Sequence, residues 1–350
     1  MSEIDEVSIF HYNISSQPLN VSVKYEKKIF GDFKTIAEFN RQSVFFKIKK
    51  YVKIYSQIVS ICLKKNQIII TPDFQIVSFI LSNRYLLGIF KTRLIYHQFE
   101  LIEDNLISER DTKKLQSIKK YSEHIDLAIF PEENRLHFFC KQTRLSVNNT
   151  FLFPNTCRLS VDDEVSDLLK VIPRGSIVFG HVGNVGSDHY IREFLDAIER
   201  CNDKNVFFVM IGRQSKAVEE LTRGVRNPNF IVIRELPHAE LKKIYPLIHY
   251  GLILYKGVDR NYEYCAPNKL YEYWSYGIPV IAHRLTGLIN VVSNDILGKL
   301  LDFDKNELTD VVHSLGETPI PDRRGLRYYF KENLDIDLHL EKLRNRIQSL

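Results

Sequence analysis

Short apolar runs alternate with helical stretches along most of this 350-residue chain. From residue 67 the order is Q-I-I-I-T, a helix opened by Pro72-Asp73 and running to about Phe90, T-R-L-I-Y, a long polar helix over 108–124, I-D-L-A-I-F, a helix after P-E-E-N-R, and F-L-F-P at 151–154. The series resumes at Ser176 with I-V-F-G-H-V, a helix, N-V-F-F-V-M-I-G, F-I-V-I, a short helix from His238 and G-L-I-L-Y. Strands that are apolar on both faces and separated by helices belong to parallel βαβ units, which assemble into open, doubly wound α/β sheets. The polar, acidic stretch V-D-D-E-V-S-D between the two series has the character of a linker, and the length suffices for two full cores. Ligands in such sheets bind beyond the carboxyl ends of the strands, where residues 97–100, 131–135 and 154–156 fall.

The first 40 residues are less legible. Val7–Tyr12 has strand character, but no glycine-rich turn and helix follow it. Residues 41–65 place Phe45, Ile48, Val52, Tyr55, Val59 and Cys62 at steps of three and four, which predicts one helix, rich in lysine and free of acid. Two readings compete for it: a packed domain helix with a basic outer face, or a peripheral contact with anionic lipid. The net charge of +5 has its basic excess in the first half, which fits either solvated charge or an anionic surface or acceptor. No apolar run has the length of a membrane span and the acidic start lacks the character of a secretory signal. Five scattered cysteines without a C-x-x-C point to a reducing cytoplasm and to neither disulfides nor zinc. No feature calls for nucleic acid.

The densest stretch is Y-E-Y-C-A-P-N-K-L-Y-E-Y-W-S-Y-G-I-P-V-I-A at 262–282. Pro267 suits the first turn of a helix, Leu270, Tyr273 and Trp274 share a face, Gly277 suits a left-handed stop, and Val280–Ala282 reads as a buried strand. Such a helix aims Asn268, Lys269 and free N–H groups at whatever lies ahead of it, a combination suited to phosphate, with Glu272 one turn inside. An amphipathic helix packed in an α/β core accounts for the same pattern. Earlier, G-H-V-G-N-V-G places Gly180, Gly183 and Gly186 between a strand and a helix, where backbone can approach a ligand. It lacks the dinucleotide spacing.

A-P-N-K-L-Y-E-Y-W-S-Y-G-I-P-V-I-A resembles the "aPnKlfEYlaaGkPVIa" signature of family-4-like GT-B-fold glycosyltransferases (group 1). In the same order, I-V-F-G-H-V-G-N resembles that family's donor-domain opening, F-V-M-I-G, L-P-H-A-E-L-K-K-I-Y and Y-G-L-I-L-Y-K-G its later elements, and G-L-I-N-V-V its "pGl.evi". In the first half, L-I-Y-H-Q-F-E-L, A-I-F-P-E-E-N-R and F-L-F-P-N resemble its strand ends more weakly. The resemblance implies two Rossmann-like domains facing across a cleft: an acceptor-side domain over 1–160, a nucleotide-sugar-binding domain over 161–325, and a C-terminal helical segment at 326–350 returning to the first. It implies that Glu272, five residues before Gly277, holds the donor ribose. Gly183, Asn184, Arg213, Tyr264, Pro267, Asn268, Lys269 and Leu270 complete the expected donor site. His97, Glu100 and Glu263 are the expected catalytic candidates, the first two also reading as a structural strand-end pair.

Three positions depart from the family pattern. Tyr264 stands where a second glutamate is common, with Glu263 adjacent. The first donor-domain loop carries Ser187, Asp188 and His189 in place of an arginine and a lysine, which leaves Lys269 and Arg213 to compensate. The glycine turn of the first domain is not found. No D-x-D motif stands in a suitable loop, so no metal and no cofactor is expected. The function implied is metal-independent, retaining transfer of a sugar from a nucleotide-sugar, a UDP-sugar foremost, to a glycan or lipid-linked glycan in cell-surface polysaccharide synthesis. It would occur at the cytoplasmic face of a membrane. The alternative is an inactive GT-B partner or regulator of another transferase.

Overall fold

The computed structural model describes residues 7–13, 26–32, 67–101, 109–160, 165–234, 236–303, 307–317 and 321–350, together with Val52, Ser56, Val59, Ser60 and Leu63. The helix expected over 41–65 lies almost wholly outside the described residues, as does any turn after the first strand. The chain divides into two compact units, one of Met1–Phe153 with Lys342–Leu350, the other of Pro154–Glu341.

Among the described residues the first unit holds six parallel strands: β1 (Val7–Asn13), β2 (Glu26–Asp32), β3 (Ile68–Thr71), β4 (Arg93–His97), β5 (Leu127–Phe130) and β6 (Thr150–Leu152), in the order β2-β1-β3-β4-β5-β6. The helix expected over 72–90 is two helices, α1 (Phe74–Ser82) and α2 (Tyr85–Phe90). Asp73 caps α1 by accepting from the N–H groups of Gln75 and Ile76, and Asn83 ends it by turning its side-chain amide onto the Phe79 carbonyl. Helices α3 (Glu109–Tyr121) and α4 (Glu133–Gln142) follow. Leu343, Ile347 and Leu350 pack on Ile68, Ile95, Leu127 and Ile129, closing this unit's second hydrophobic layer with the last residues of the chain.

The second unit is another six-stranded parallel sheet, β12-β11-β10-β7-β8-β9, built from β7 (Ile177–Val182), β8 (Val206–Ile211), β9 (Phe230–Ile233), β10 (Tyr250–Ile253), β11 (Val280–His283) and β12 (Gly298–Leu301). Every residue of β7 and β8 is buried, as a central parallel strand covered on both faces requires. Alternate residues serve opposite layers. Ile177, Phe179, Val206, Phe208 and Met210 join the cluster under α5 (Ile191–Cys201). Val178, Val182, Phe207, Val209 and Ile211 join the one containing Leu270, Tyr273 and Trp274. Helices α6 (Lys216–Arg223), α7 (His238–Lys242), α8 (Arg260–Glu263), α9 (Asn268–Ser275), α10 (Thr286–Ile289), α11 (Glu307–Gly316), α12 (Arg323–Asn333) and α13 (Ile336–Gln348) complete the described elements.

The division between the units falls at Phe153, earlier than the expected residue 160. Asn155 donates its side-chain amide to the Ala266 carbonyl at 2.7 Å, and the Leu159 N–H donates to Asp335 at 2.9 Å, so this stretch is bound into the second unit. The segment expected to return at 326 does so only from Lys342, because Leu326 and Phe330 of α12 are buried in the second unit's core. Among the described residues no helix is long and apolar enough to cross a membrane.

Candidate nucleotide-sugar site

At the carboxyl ends of β7 and β8 two glycines fix the backbone. Gly183 adopts φ +118° and Gly212 φ +136°, values that disfavour side chains. The Gly183 N–H donates to the Ile211 carbonyl, that of Val185 to Arg213, and that of Ser215 back to Val185, each at 2.9 Å. A β-carbon on Gly212 would overlap the Gly183 carbonyl. The two loops are thus laced together, and one on Gly183 would stand 3.6 Å from both Cε and Nζ of Lys269.

Lys269 sits in the first turn of α9, whose axis is set by apolar anchors. Trp274 donates its indole N–H to the Leu297 carbonyl at 2.8 Å. The Tyr273 hydroxyl donates to the Gly180 carbonyl and accepts from the Val182 N–H, each at 2.9 Å, pinning α9 to the end of β7. Pro267 is not in the first turn as expected: with ψ 131° it immediately precedes the helix, which begins at Asn268. Gly277 takes φ +71° beyond the helix end, as its position implied.

The lysine is not a solvated helix-start residue. It is 8% exposed, its Nζ lies 3.3 Å from Nε2 of His181, and it stands 4.9 Å from the centre of the Tyr255 ring. Burial lowers its pKa to about 7, against the opposing pull of Glu272, Cys265 and Asp188. Around it stand two buried histidines. Burial, then the Lys269 charge, holds His181 well below its ordinary range. The same two causes bring His189 to about 4 despite Asp188 at 3.1 Å. Burial works against ionising Asp188, but hydrogen bonds from Tyr262 and the nearby His189 prevail and lower its pKa. The free protein therefore keeps two neutral imidazoles and one readily titrated amine behind the Gly183 loop. An arriving diphosphate would restore the lysine's charge by supplying the counter-ion that burial denies it.

Glu272, half-buried on α9, accepts a 2.6 Å hydrogen bond from the Tyr245 hydroxyl. Glu263 is engaged elsewhere: its Oε1 accepts from both the N–H and the hydroxyl of Thr286, capping α10. Tyr264, at the end of α8, packs its backbone against Gly287 of α10. Glu263→Ala is accordingly expected to cost about 1 kcal/mol of stability through the lost cap, read as a small fall in melting temperature. Asn184, Asn268 and Arg213 are exposed, whereas Pro267 and Leu270 are buried. Gly183 and Lys269 are thus brought together, with Arg213 tied to the same loops through its backbone carbonyl, while Glu263 and Tyr264 belong to the α8–α10 contact.

In the first unit His97 ends β4 with Nε2 buried and without a hydrogen-bond partner among the described residues, and burial lowers its pKa to about 4. Its ring lies 4.1 Å from that of Phe99 and 6.2 Å from that of Phe153. Glu100 is exposed beside the undescribed residues 102–108. Nearby, Arg135 donates to the Phe99 carbonyl at 2.6 Å and Glu132 caps α4.

Sequence reasoning missed His181 and Tyr245. The available signals were a lone histidine inside the otherwise apolar run I-V-F-G-H-V, and the tyrosine that closes the family-like run L-P-H-A-E-L-K-K-I-Y.

Comparison with solved structures shows the fold. Anabaena HepE in complex with UDP superposes with a TM-score of 0.72 at 12% identity, covering 98% of this chain and 100% of that one. The lipopolysaccharide outer core galactosyltransferase WaaB matches with a TM-score of 0.66 at 13% identity over 98% and 99% of the two chains. Sucrose-phosphate synthase from Thermosynechococcus elongatus gives 0.63 at 14% over 98% and 89%. At such identities these likenesses carry the fold, which is the GT-B fold. The second unit is more specific: residues 176–317 match the family of glycosyl transferases group 1. That match, confined to the second unit, and the GT-B fold of the chain agree with the glycosyltransferase signature read at 266–282. No curated protein sequence matches it.

Proposed function

We propose that the second unit binds a nucleotide-sugar, a UDP-sugar foremost, and that the protein transfers the sugar with retention to a glycan or lipid-linked glycan during cell-surface polysaccharide synthesis. The carrying observation is the buried Lys269 amine beside the Gly183 loop at the carboxyl end of β7, with Glu272 one turn further along α9. Departure of a nucleoside diphosphate concentrates negative charge on the leaving oxygen. A low-dielectric cation and helix N–H donors stabilise that charge without reorganising. This supports a transfer that needs no metal. Glu272 would hold the ribose hydroxyls, and Asn184, Asn268 and Arg213 are exposed to contact the rest of the donor.

HepE has been captured with UDP and with UDP-glucose, which supports uridine as the base, and WaaB acts on a lipopolysaccharide core, which supports a glycan acceptor. His97 and Glu100 remain the candidates for receiving the acceptor proton. A neutral imidazole has the free acceptor nitrogen this step needs, provided Phe99 moves to admit the hydroxyl. Activity at the cytoplasmic face of a membrane is part of the same proposal.

The test is calorimetric binding of UDP, GDP, ADP and CMP in the presence of EDTA. UDP is expected to bind and Glu272→Ala to weaken it at least tenfold, about 1.4 kcal/mol. Absence of binding to every nucleotide would replace this reading with that of an inactive partner of another transferase, for which the substituted first loop is the motivating feature.

A further inference from the structure

Glu272 does not stand alone on α9. Tyr245, 2% exposed, lies in the short turn following α7, and its hydroxyl reaches Oε2 of Glu272 at 2.6 Å. The tyrosine has little freedom to do otherwise. Its ring stacks on Tyr276 with centroids 4.7 Å apart and planes 18° apart, and meets Tyr273 edge-on at 5.7 Å. Burial first, and then the Glu272 charge, raises the pKa of its hydroxyl, so the proton stays on the tyrosine and the hydroxyl remains a donor to the carboxylate. The other carboxylate oxygen, Oε1, has no hydrogen bond to any described residue.

We infer that Tyr245 is a positioning residue for the donor ribose: it locks the rotamer of Glu272 through Oε2 so that the carboxylate faces the 2′- and 3′-hydroxyls. The inference rests on the proposed role of Glu272. A glutamate has three side-chain torsions, and an unanchored one must freeze them whenever it grips a ligand. The hydrogen bond from a packed ring makes that ordering part of the free protein, which raises affinity without adding a contact to the ligand. It also gives a specific consequence. The benefit of Tyr245 is realised only with ligands that offer hydroxyls to Glu272.

The experiment compares UDP with 2′,3′-dideoxyuridine 5′-diphosphate, by calorimetry, on the wild-type chain and on Tyr245→Phe, which retains the stacked ring. The wild-type protein is expected to prefer UDP. Tyr245→Phe is expected to lose about tenfold in UDP affinity, a change of about 1.4 kcal/mol, while its affinity for the dideoxy compound stays within a factor of two. In a Glu272→Ala background the tyrosine substitution should add nothing. A purely structural loss would weaken both ligands alike and overturn the inference, as would a variant that keeps the full preference for UDP. If the wild-type protein shows no preference, or binds neither compound, the ribose role of Glu272 falls and this inference falls with it.

Discussion

Lys269→Met is expected to make the free protein more stable and to remove nucleoside-diphosphate binding. The two effects have one cause. A buried ammonium loses its hydration, and its only close polar contact among the described residues is the neutral His181 ring at 3.3 Å. Its pKa therefore drops from 10.5 to about 7 on folding. The unfolded chain keeps the proton up to 10.5, the folded chain only to about 7, so folding releases a proton between those values. Stability rises with pH across that window, and the lysine penalty is full below pH 7. Methionine fills the space of the stem without a charge. Replacing buried ionic groups by apolar ones of similar size has stabilised other proteins by about 1–4 kcal/mol, here several degrees of melting temperature. The gain should be largest below pH 7 and vanish above about pH 10. Binding should show the converse. Diphosphate restores the lysine's charge, so at pH 8 the wild-type protein should take up a proton with UDP, seen as a dependence of the calorimetric heat on buffer ionisation enthalpy. A methionine variant that bound UDP normally, or melted lower than wild type at pH 6, would refute the assignment.

Gly212→Ala is expected to be the most damaging single methyl addition in the second unit's candidate site. Its φ of +136° lies outside the region alanine tolerates, at a cost of about 1–3 kcal/mol. The added carbon would also overlap the carbonyl of Gly183, which is backbone and cannot rotate away. The loop must shift as a unit, and with it the hydrogen bonds linking Val185 to Arg213 and Ser215. Nucleotide affinity should fall by more than tenfold and the melting temperature by several degrees. Gly224→Ala is the control. It ends α6 with φ −89° and open space around its β-position, so both readouts should be unchanged. Equal behaviour of the two variants would show that the laced loops do not hold the site.

The central strands were legible because they are buried on both faces: β7 and β8 read as continuous apolar runs and fold as such. The edges were not. β2, E-K-K-I-F-G-D, and β12, G-K-L-L, each lie at the end of a sheet and carry lysines, so neither has the composition of a buried strand. The helix over 74–90 read as one element because nothing in the hydrophobic spacing marks the interruption at Asn83, which arises from a side-chain bond to backbone. Lys269 was visible as a residue, but not its state. Its depressed pKa comes from burial, and the groups beside it, His181, Tyr255 and the Gly183 loop, are distant in sequence and joined only by the fold. Glu263 shows the reverse: adjacency to a family position marked it as catalytic, while its carboxylate serves Thr286.

The closure of the first unit by Leu343, Ile347 and Leu350 has a consequence for how the chain is made. During synthesis from the amino terminus, the second unit, continuous from Pro154 to Glu341, has all its strands available before the first can finish. Ile68, Ile95, Leu127 and Ile129 emerge early and gain the contacts of Leu343, Ile347 and Leu350 only once α13 has been made. The amino-terminal unit is therefore the later of the two to complete its core.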